Sequence, residues 1–445
     1  MKSHSSIIIL ILTTMALLAT GCKKEPIEQL GYPQLVDGAT FNMIIPKDAR
    51  AVVFEYNNHY RGTTLLSTPN SSDPIYCYSD SNNVWHVTTP ASTIYATPHC
   101  DKMFYNLPSL AYIVFGSEFN TSNVVRMDAM FRGCSGLTSL DLSNFNTSNV
   151  KRMDAMFYGC RGLTSLDLSN FNTSNVERMD AMFYGCHGLT SLNVSSFNTS
   201  NVVMMTRIVD SVTRYDDYAY YPGYQYPAQN DLFRFGMFAH CSSLKSLDLS
   251  SFNTSKVTDM RGLFEGCKKL RKLNVSSFNT SNVRLMDAMF KDCSNLVHLD
   301  VSNFNTSNVV SMGSVFYFIA RSGSAGQYRW DHEETVGGMF ENCTNLVSLD
   351  LSNFNTSNVA RMYNMFRGCK HLIHINLSGF DLSQLEKGVF DYYTEHYGSD
   401  NMCYKLSTTA GYCTIVCSQQ VQNILLVDSV TYIPTDKVTF TWKRP

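Results

Sequence analysis

Charge is what this chain has least of. Charged side chains make up 16% of the 445 residues, where soluble domains average about 25%, and 35 basic against 37 acidic residues leave a net charge of −2. So even a balance supplies no electrostatic footprint for nucleic acid, which is excluded as an expected partner. A membrane-spanning run is missing as well. The apolar stretch from Ile7 to Ala19 would cover only ~20 Å as a helix, short of a ~30 Å hydrocarbon core. The signatures of catalysis are also absent: no nucleophile elbow, phosphate-cradling glycine loop, paired zinc-ligand motif or dinucleotide fingerprint occurs. No enzyme activity, cofactor or metal is therefore expected. Core material, in contrast, is ample. At 44% hydrophobic and 12% aromatic residues, disorder and a collagen-like chain are both ruled out.

The first segment reads as an address. Lys2 opens a short basic region before the apolar stretch, the pattern of a signal peptide over residues 1–21 rather than of a span. The run Leu18-Ala19-Thr20-Gly21-Cys22 resembles the lipobox of bacterial lipoproteins. That resemblance implies lipid attachment at Cys22, palmitate among the acyl chains, and anchoring to the bacterial outer membrane, since two or more chains hold stably. Residues 22–38 contain Pro26, Gly31 and Pro33 and read as a tether.

The fourteen cysteines reveal the organisation of the rest. Cys134, Cys160 and Cys186 are 26 apart, as are Cys241, Cys267 and Cys293, and so are Cys343 and Cys369. A 26-residue unit therefore recurs at least eight times. In the copy from Leu137 to Cys160, Leu140 and Leu142 alternate with Ser139 and Asp141, the period of a strand with one buried face. Val150, Met153, Met156 and Phe157 then fall at i, i+3, i+6 and i+7, which predicts a short helix with an N-cap among Thr147, Ser148 and Asn149 and a C-terminal turn at Gly159. Each unit is thus expected to be strand, turn, helix, turn. One unit cannot bury its apolar side alone, so the copies must stack. The expected fold is an α/β solenoid, a leucine-rich-repeat-like right-handed stack, with β-rich caps at residues 39–116 and 381–445 around a solenoid at 117–380. Strand-like stretches at 51–56 and 83–87, and the alternation of Val438, Phe440 and Trp442 with Thr439 and Thr441, support the caps.

A repeat of the form L-x-x-L-D-L-S-x-F-N-T-S-N-V-x-x-M-x-x-M-F-x-x-C, together with the C-terminal runs Gly411 to Cys417 and Pro434 to Trp442, resembles the BspA-like leucine-rich-repeat surface lipoproteins. The resemblance implies a cell-surface adhesion protein that binds host matrix or cell-surface proteins. Phe145 stands where the general leucine-rich repeat has Asn or Cys.

The repeated residues themselves point to packing rather than chemistry. Cysteines stacked at ~4.8 Å have Cβ atoms too far apart for disulfides, so the ladder reads as buried thiols. Outside it, Cys77 with Cys100, and Cys403 with Cys413 or Cys417, are candidate pairs. The Met and Phe stripes read as core. Each Asn-Thr-Ser matches a glycosylation acceptor, but stacked amides and hydroxyls satisfying turn backbone are the simpler account.

Two intervals break the count. Cys186 and Cys241 lie 55 apart and Cys293 and Cys343 lie 50 apart, one unit plus 29 and 24 extra residues. Both insertions, near 207–235 and 318–337, interrupt the unit between its first Met and its Met-Phe pair, so both leave the same side of the stack. The first carries Tyr215, Tyr218, Tyr220, Tyr221, Tyr224 and Tyr226; the second carries Tyr328, Arg329 and Trp330, then the charged run Asp331 to Glu334, which reads as a solvated loop tip. Tyr, Trp and Arg among Gly and Ser are the composition of binding loops. These nine residues are the expected ligand contacts, for a protein or, alternatively, for a carbohydrate whose sugars stack on the rings. The chain is expected to act as a monomer.

Overall fold

The computed structural model describes residues 30–57, 62–209, 233–321, 328–385, 413–419, 421–422 and 438–442. Cys22 and the six tyrosines from 215 to 226 lie outside the described residues, as does Cys403.

The N-terminal part begins with α1 (Gly38–Ile44), whose first turn is capped by Asp37 accepting the Thr40 N–H at 2.9 Å. Around it lie β1 (Ala51–Tyr56), β2 (Thr64–Leu65), β3 (Tyr76–Ser79), β4 (Val84–Thr89), β5 (Ile94–Tyr95), β6 (Tyr112–Val114) and β7 (Phe119–Asn120). Five of these form a sheet in the order β2-β3-β4-β1-β6, in which β1 is parallel to both neighbours. Residues 30–38 do not behave as the end of a tether. Leu35 is buried, its N–H bonds the Tyr95 carbonyl at 2.9 Å, and Val36 bonds Leu66.

The stacked region carries β8 (Ser165–Asp167), β9 (Ser191–Asn193), β10 (Thr206–Val209), β11 (Phe233–Gly236), β12 (Ser246–Asp248), β13 (Lys272–Asn274), β14 (Ser311–Arg321), β15 (Tyr328–Gly338), β16 (Ser348–Asp350), β17 (Arg361–Met362) and β18 (His374–Asn376). The C-terminal strands are β19 (Cys413–Cys417) and β20 (Val438–Trp442). Equivalent strands pair in parallel one repeat apart: Leu166 opposite Leu192, Leu247 opposite Leu273, Leu349 opposite Ile375. The ladder then runs on through β18, β19 and β20 in one four-stranded sheet. The stack is therefore a solenoid, and its open edge is covered by strands of the same polarity.

The expected helix is not there. Among the described residues helix is confined to α1 and a fragment at 419 and 421–422. The segment from Met153 to Cys160 is instead a chain of turns that doubles as a second ladder. Alternate N–H groups, those of Met153, Ala155, Phe157 and Gly159, bond carbonyls of the next rung at 2.8–3.0 Å, while Met156, Tyr158 and Cys160 close turns onto residues three back. Two residues per turn segment take left-handed backbone, Ala155 at φ 54° and Gly159 at φ 70°, and their equivalents recur in the neighbouring rungs. The Met-x-x-Met-Phe spacing that mimics a helical stripe is thus the period of three-residue turns. Stacking prevails because a helix this short is marginal by itself, whereas the inter-rung bonds satisfy backbone groups across the whole array.

One continuous core runs the length of the stack. Phe104, Phe131, Phe157, Phe183, Phe238, Phe264, Phe290, Phe340 and Phe366 form a column with ring centres 5.5–5.9 Å apart and planes within 11°. Burying each ring contributes about 1.5–3 kcal/mol.

Candidate functional site

Most polar groups of the repeat are spent on the repeat itself. The Thr173 hydroxyl is fully buried; it donates to the Asn198 carbonyl at 2.9 Å and accepts the Asn198 N–H at 2.8 Å, one rung on. Asn172 accepts the Ser174 N–H, and Asn175 donates to the Ser148 carbonyl at 2.7 Å. Every residue of Asn-Thr-Ser-Asn therefore ties backbone within or between rungs, which accounts for the motif without a glycan. The outward Asp and Asn row is likewise internal: Asp167 accepts from the Ser169 N–H and from the Asn193 side chain at 2.9 Å. These bonds, the Ser169 backbone first, hold its carboxyl below the ordinary range. Arg152 grips Asp154 through two bonds of 3.0 Å and lies 3.8 Å from Asp128, and Arg178 repeats the arrangement with Asp180 and Asp154, giving a staggered ion-pair ladder.

The cysteine ladder is equally inert. Each thiol points at the Phe carbonyl of the preceding rung, Cys160 to Phe131 at 3.1 Å and Cys267 to Phe238 at 3.2 Å, so the weak S–H donor satisfies a second lone pair there. Burial pushes Cys134, Cys186, Cys267 and Cys369 up to about 12. Such thiols form no thiolate at neutral pH and are poor nucleophiles. Cys77 and Cys100 are also buried free thiols rather than a pair; Cys413 and Cys417 are buried free thiols too, and their expected partner Cys403 lies outside the described residues. Cys100 occupies the place of the first repeat Met in an incomplete first rung, which is why it is an apolar filler.

The insertions stand apart. Both leave the solenoid after the first Met of a rung and return at its Met-Phe pair, and both begin and end as antiparallel ribbons: β10 pairs β11 with Thr206 opposite Gly236, and β14 pairs β15 with Gly313 opposite Gly338. At the return point, Gly236 passes so close to Gly262 of the next rung that a Cβ would run into its carbonyl. The second insertion is not a loop with a charged tip, because its charged run is strand: Phe316 faces Glu334, Tyr317 faces Glu333 and Phe318 faces His332. The unbroken run of β-branched and aromatic residues from Val315 to Ile319 carries enough β-propensity to extend the root into a ribbon. Tyr328 and Arg329 begin its return strand, opposite Arg321 and Ala320, and Trp330 follows on β15. The three share one hairpin end. Their rung and that of the first insertion are three apart, about 14 Å at ~4.8 Å per rung.

A feature the pattern reading passed over is the position after each Phe of the central column. In the first rungs it holds Tyr105, Arg132, Tyr158 and Tyr184; the Arg132 guanidinium lies 4.4 Å from the Tyr158 ring centre, and Tyr158 stacks on Tyr184 at 4.8 Å. Further along it holds Lys291, Glu341 and Arg367, with Glu341 buried between the two cations at 3.8 and 3.4 Å. The signal was present as non-repeating residues inside a fixed motif, hidden by the expectation that this side was helix.

No curated protein matches the sequence significantly. A solved structure described as the crystal structure of a TLR13–ssRNA13 complex is 16% identical and covers 65% of this chain and 40% of that chain, with a TM-score of 0.20. The chain thus spans less than half the length of that protein, and a likeness this remote says nothing of ligand. A family profile matches residues 98–219, 234–346 and 318–402, more than half of the sequence, and with it the chain belongs to the family described as Mycoplasma protein of unknown function, DUF285.

Proposed function

We propose that this is a non-catalytic bacterial surface lipoprotein of the BspA-like kind, anchored through Cys22, whose solenoid presents two hairpins to proteins of a host or neighbouring cell. The observation that carries the reading is the shared register of the two ribbons, at Thr206/Gly236 and Gly313/Gly338. Elsewhere the repeat's polar side chains tie rung to rung, whereas these segments add tyrosine, tryptophan and arginine that the repeat does not need. Long insertions on one face of a repeat array are a common seat of recognition.

The test follows from the register. Replacing residues 206–236 and 313–338 each by Asp-Ala restores the regular Met-Asp-Ala-Met spacing of the neighbouring rungs. The expected result is an unchanged circular dichroism melt with lost binding to an immobilised panel of extracellular-matrix proteins. Retained binding overturns the proposal. Anchoring is tested separately: Cys22→Ala moves the protein from the membrane to the soluble fraction, and protease shaving of intact cells degrades the wild-type chain if it faces outward.

A further inference from the structure

Among the described residues β15 has a strand partner on one side only. Its sheet runs β15-β14-β17, so β14 is held between the return strand and the next rung, with Ser311 beside Arg361 and Gly313 beside Met362, and β15 is outermost. An edge strand presents a row of backbone N–H and C=O groups in the geometry that pairs with another extended chain. Native proteins commonly blunt such edges with lysine or proline, and β15 contains neither.

The register limits where a strand can add. From His332 to Thr335 the ladder is regular, opposite Phe318 to Val315, and each end of this stretch is an irregularity at which β15 carries the extra residue. A bulge bends the strand and disrupts the ladder, so the pairing window is these four residues, about 14 Å.

Charge selects what pairs there. The window and its flank carry Asp331, Glu333 and Glu334, whereas Glu333 stands opposite Tyr317 and Glu334 opposite Phe316 on β14. The one charged residue of β14, Arg321, is opposite Tyr328, away from the acidic run. Successive residues of a strand fall on opposite faces, so a strand laid alongside meets a glutamate position on each. A second copy of the same edge would set like charges side by side, which is unfavourable, and a basic segment would set opposite charges there.

We propose that β15 accepts an extended basic segment of a partner protein as an added strand along His332 to Thr335, with lysine or arginine beside Glu333 and Glu334. Backbone bonds then supply affinity and the two glutamates supply selection by charge. The inference rests on the reading of the hairpins as the binding face and adds how a partner is held.

The experiment follows amide hydrogen exchange of the full-length chain, in detergent, by mass spectrometry. The probes are a short peptide of alternating lysine and valine, its counterpart with glutamate for lysine, and the lysine peptide N-methylated at two adjacent central residues, which removes a donor from each of its edges. Only the unmodified lysine peptide is expected to slow exchange within residues 328–338. Glu333→Lys with Glu334→Lys should weaken that peptide about tenfold and admit the glutamate peptide in its place. Equal slowing by the N-methylated or the glutamate peptide, slowing confined to residues 311–321, or an unchanged preference in the double variant would each overturn the proposal; the first and third of these probes need no variant. The two readings fail separately. Loss of matrix binding on excising the hairpins, without slowing by the lysine peptide, overturns the strand pairing alone, whereas matrix binding that survives excision overturns the reading of the hairpins.

Discussion

The threonine of each Asn-Thr-Ser offers the sharpest test of what holds the rungs together. Thr173 is buried within a core-facing turn, and its methyl could be the reason for its presence; alternatively its hydroxyl is, since it bridges both backbone groups of Asn198 at 2.8 and 2.9 Å. The two accounts differ in sign. Thr173→Val keeps the shape and adds apolar volume but leaves the Asn198 N–H and carbonyl without that partner. At about 1 kcal/mol per lost bond, the expected cost is ~2 kcal/mol. Thr173→Ser keeps both bonds and loses one buried methyl, about 1 kcal/mol. Equilibrium urea unfolding of the full-length chain, followed by far-UV circular dichroism, should therefore rank wild type above Ser and Ser above Val. A Val variant as stable as wild type, or more stable than Ser, would refute the hydrogen-bonded ladder and leave simple burial as the explanation. Because rungs contact only their neighbours, the loss should also split the array into parts that unfold less cooperatively.

Two further outcomes follow from the turn segment. The ladder thiols are raised from 9.0 to about 12 by burial, as at Cys134 and Cys267, so the folded chain keeps protons that the unfolded chain releases. Their contribution is complete below pH 9.0 and is lost as pH rises towards about 12, with a slope of up to ~1.4 kcal/mol per pH unit for each thiol; urea midpoints measured from pH 8 to 11 check this, and flat midpoints would contradict it. Gly185→Ala should cost about 1 kcal/mol, since φ is +69° but the new methyl meets nothing nearer than 3.9 Å. Gly236→Ala should cost considerably more, because backbone of the next rung blocks it; equal melting temperatures for the two variants would show that the rung spacing there is looser than described.

How legible was this protein from its sequence? The 26-residue spacing of the cysteines alone implied stacking, because a unit that small must bury its apolar side on a copy of itself. Strand positions such as Leu166 and Leu192 followed from period-two alternation, and the common exit point of both insertions followed from counting residues. The turn segment was misread. Val150, Met153, Met156 and Phe157 have helical spacing, yet a single sequence does not show where backbone bonds go. Whether the Met153 N–H closes a helix or reaches Arg178 depends on a neighbouring rung being present at bonding distance.

Periodic hydrophobicity and spacing by themselves thus determined that the chain is a repeat stack, that its cysteines are core, and that two segments leave it at one register. Only the tertiary structure decided that the rungs are strand and turn without helix, and that β14 and β15 form a ribbon where a loop was expected. It alone set β14 beside β17 and so left β15 outermost. The physical reason is the same in each case: these features arise from contacts between residues about 26 or more apart in sequence, and local pattern records the demand for such contacts without recording the partner that meets it.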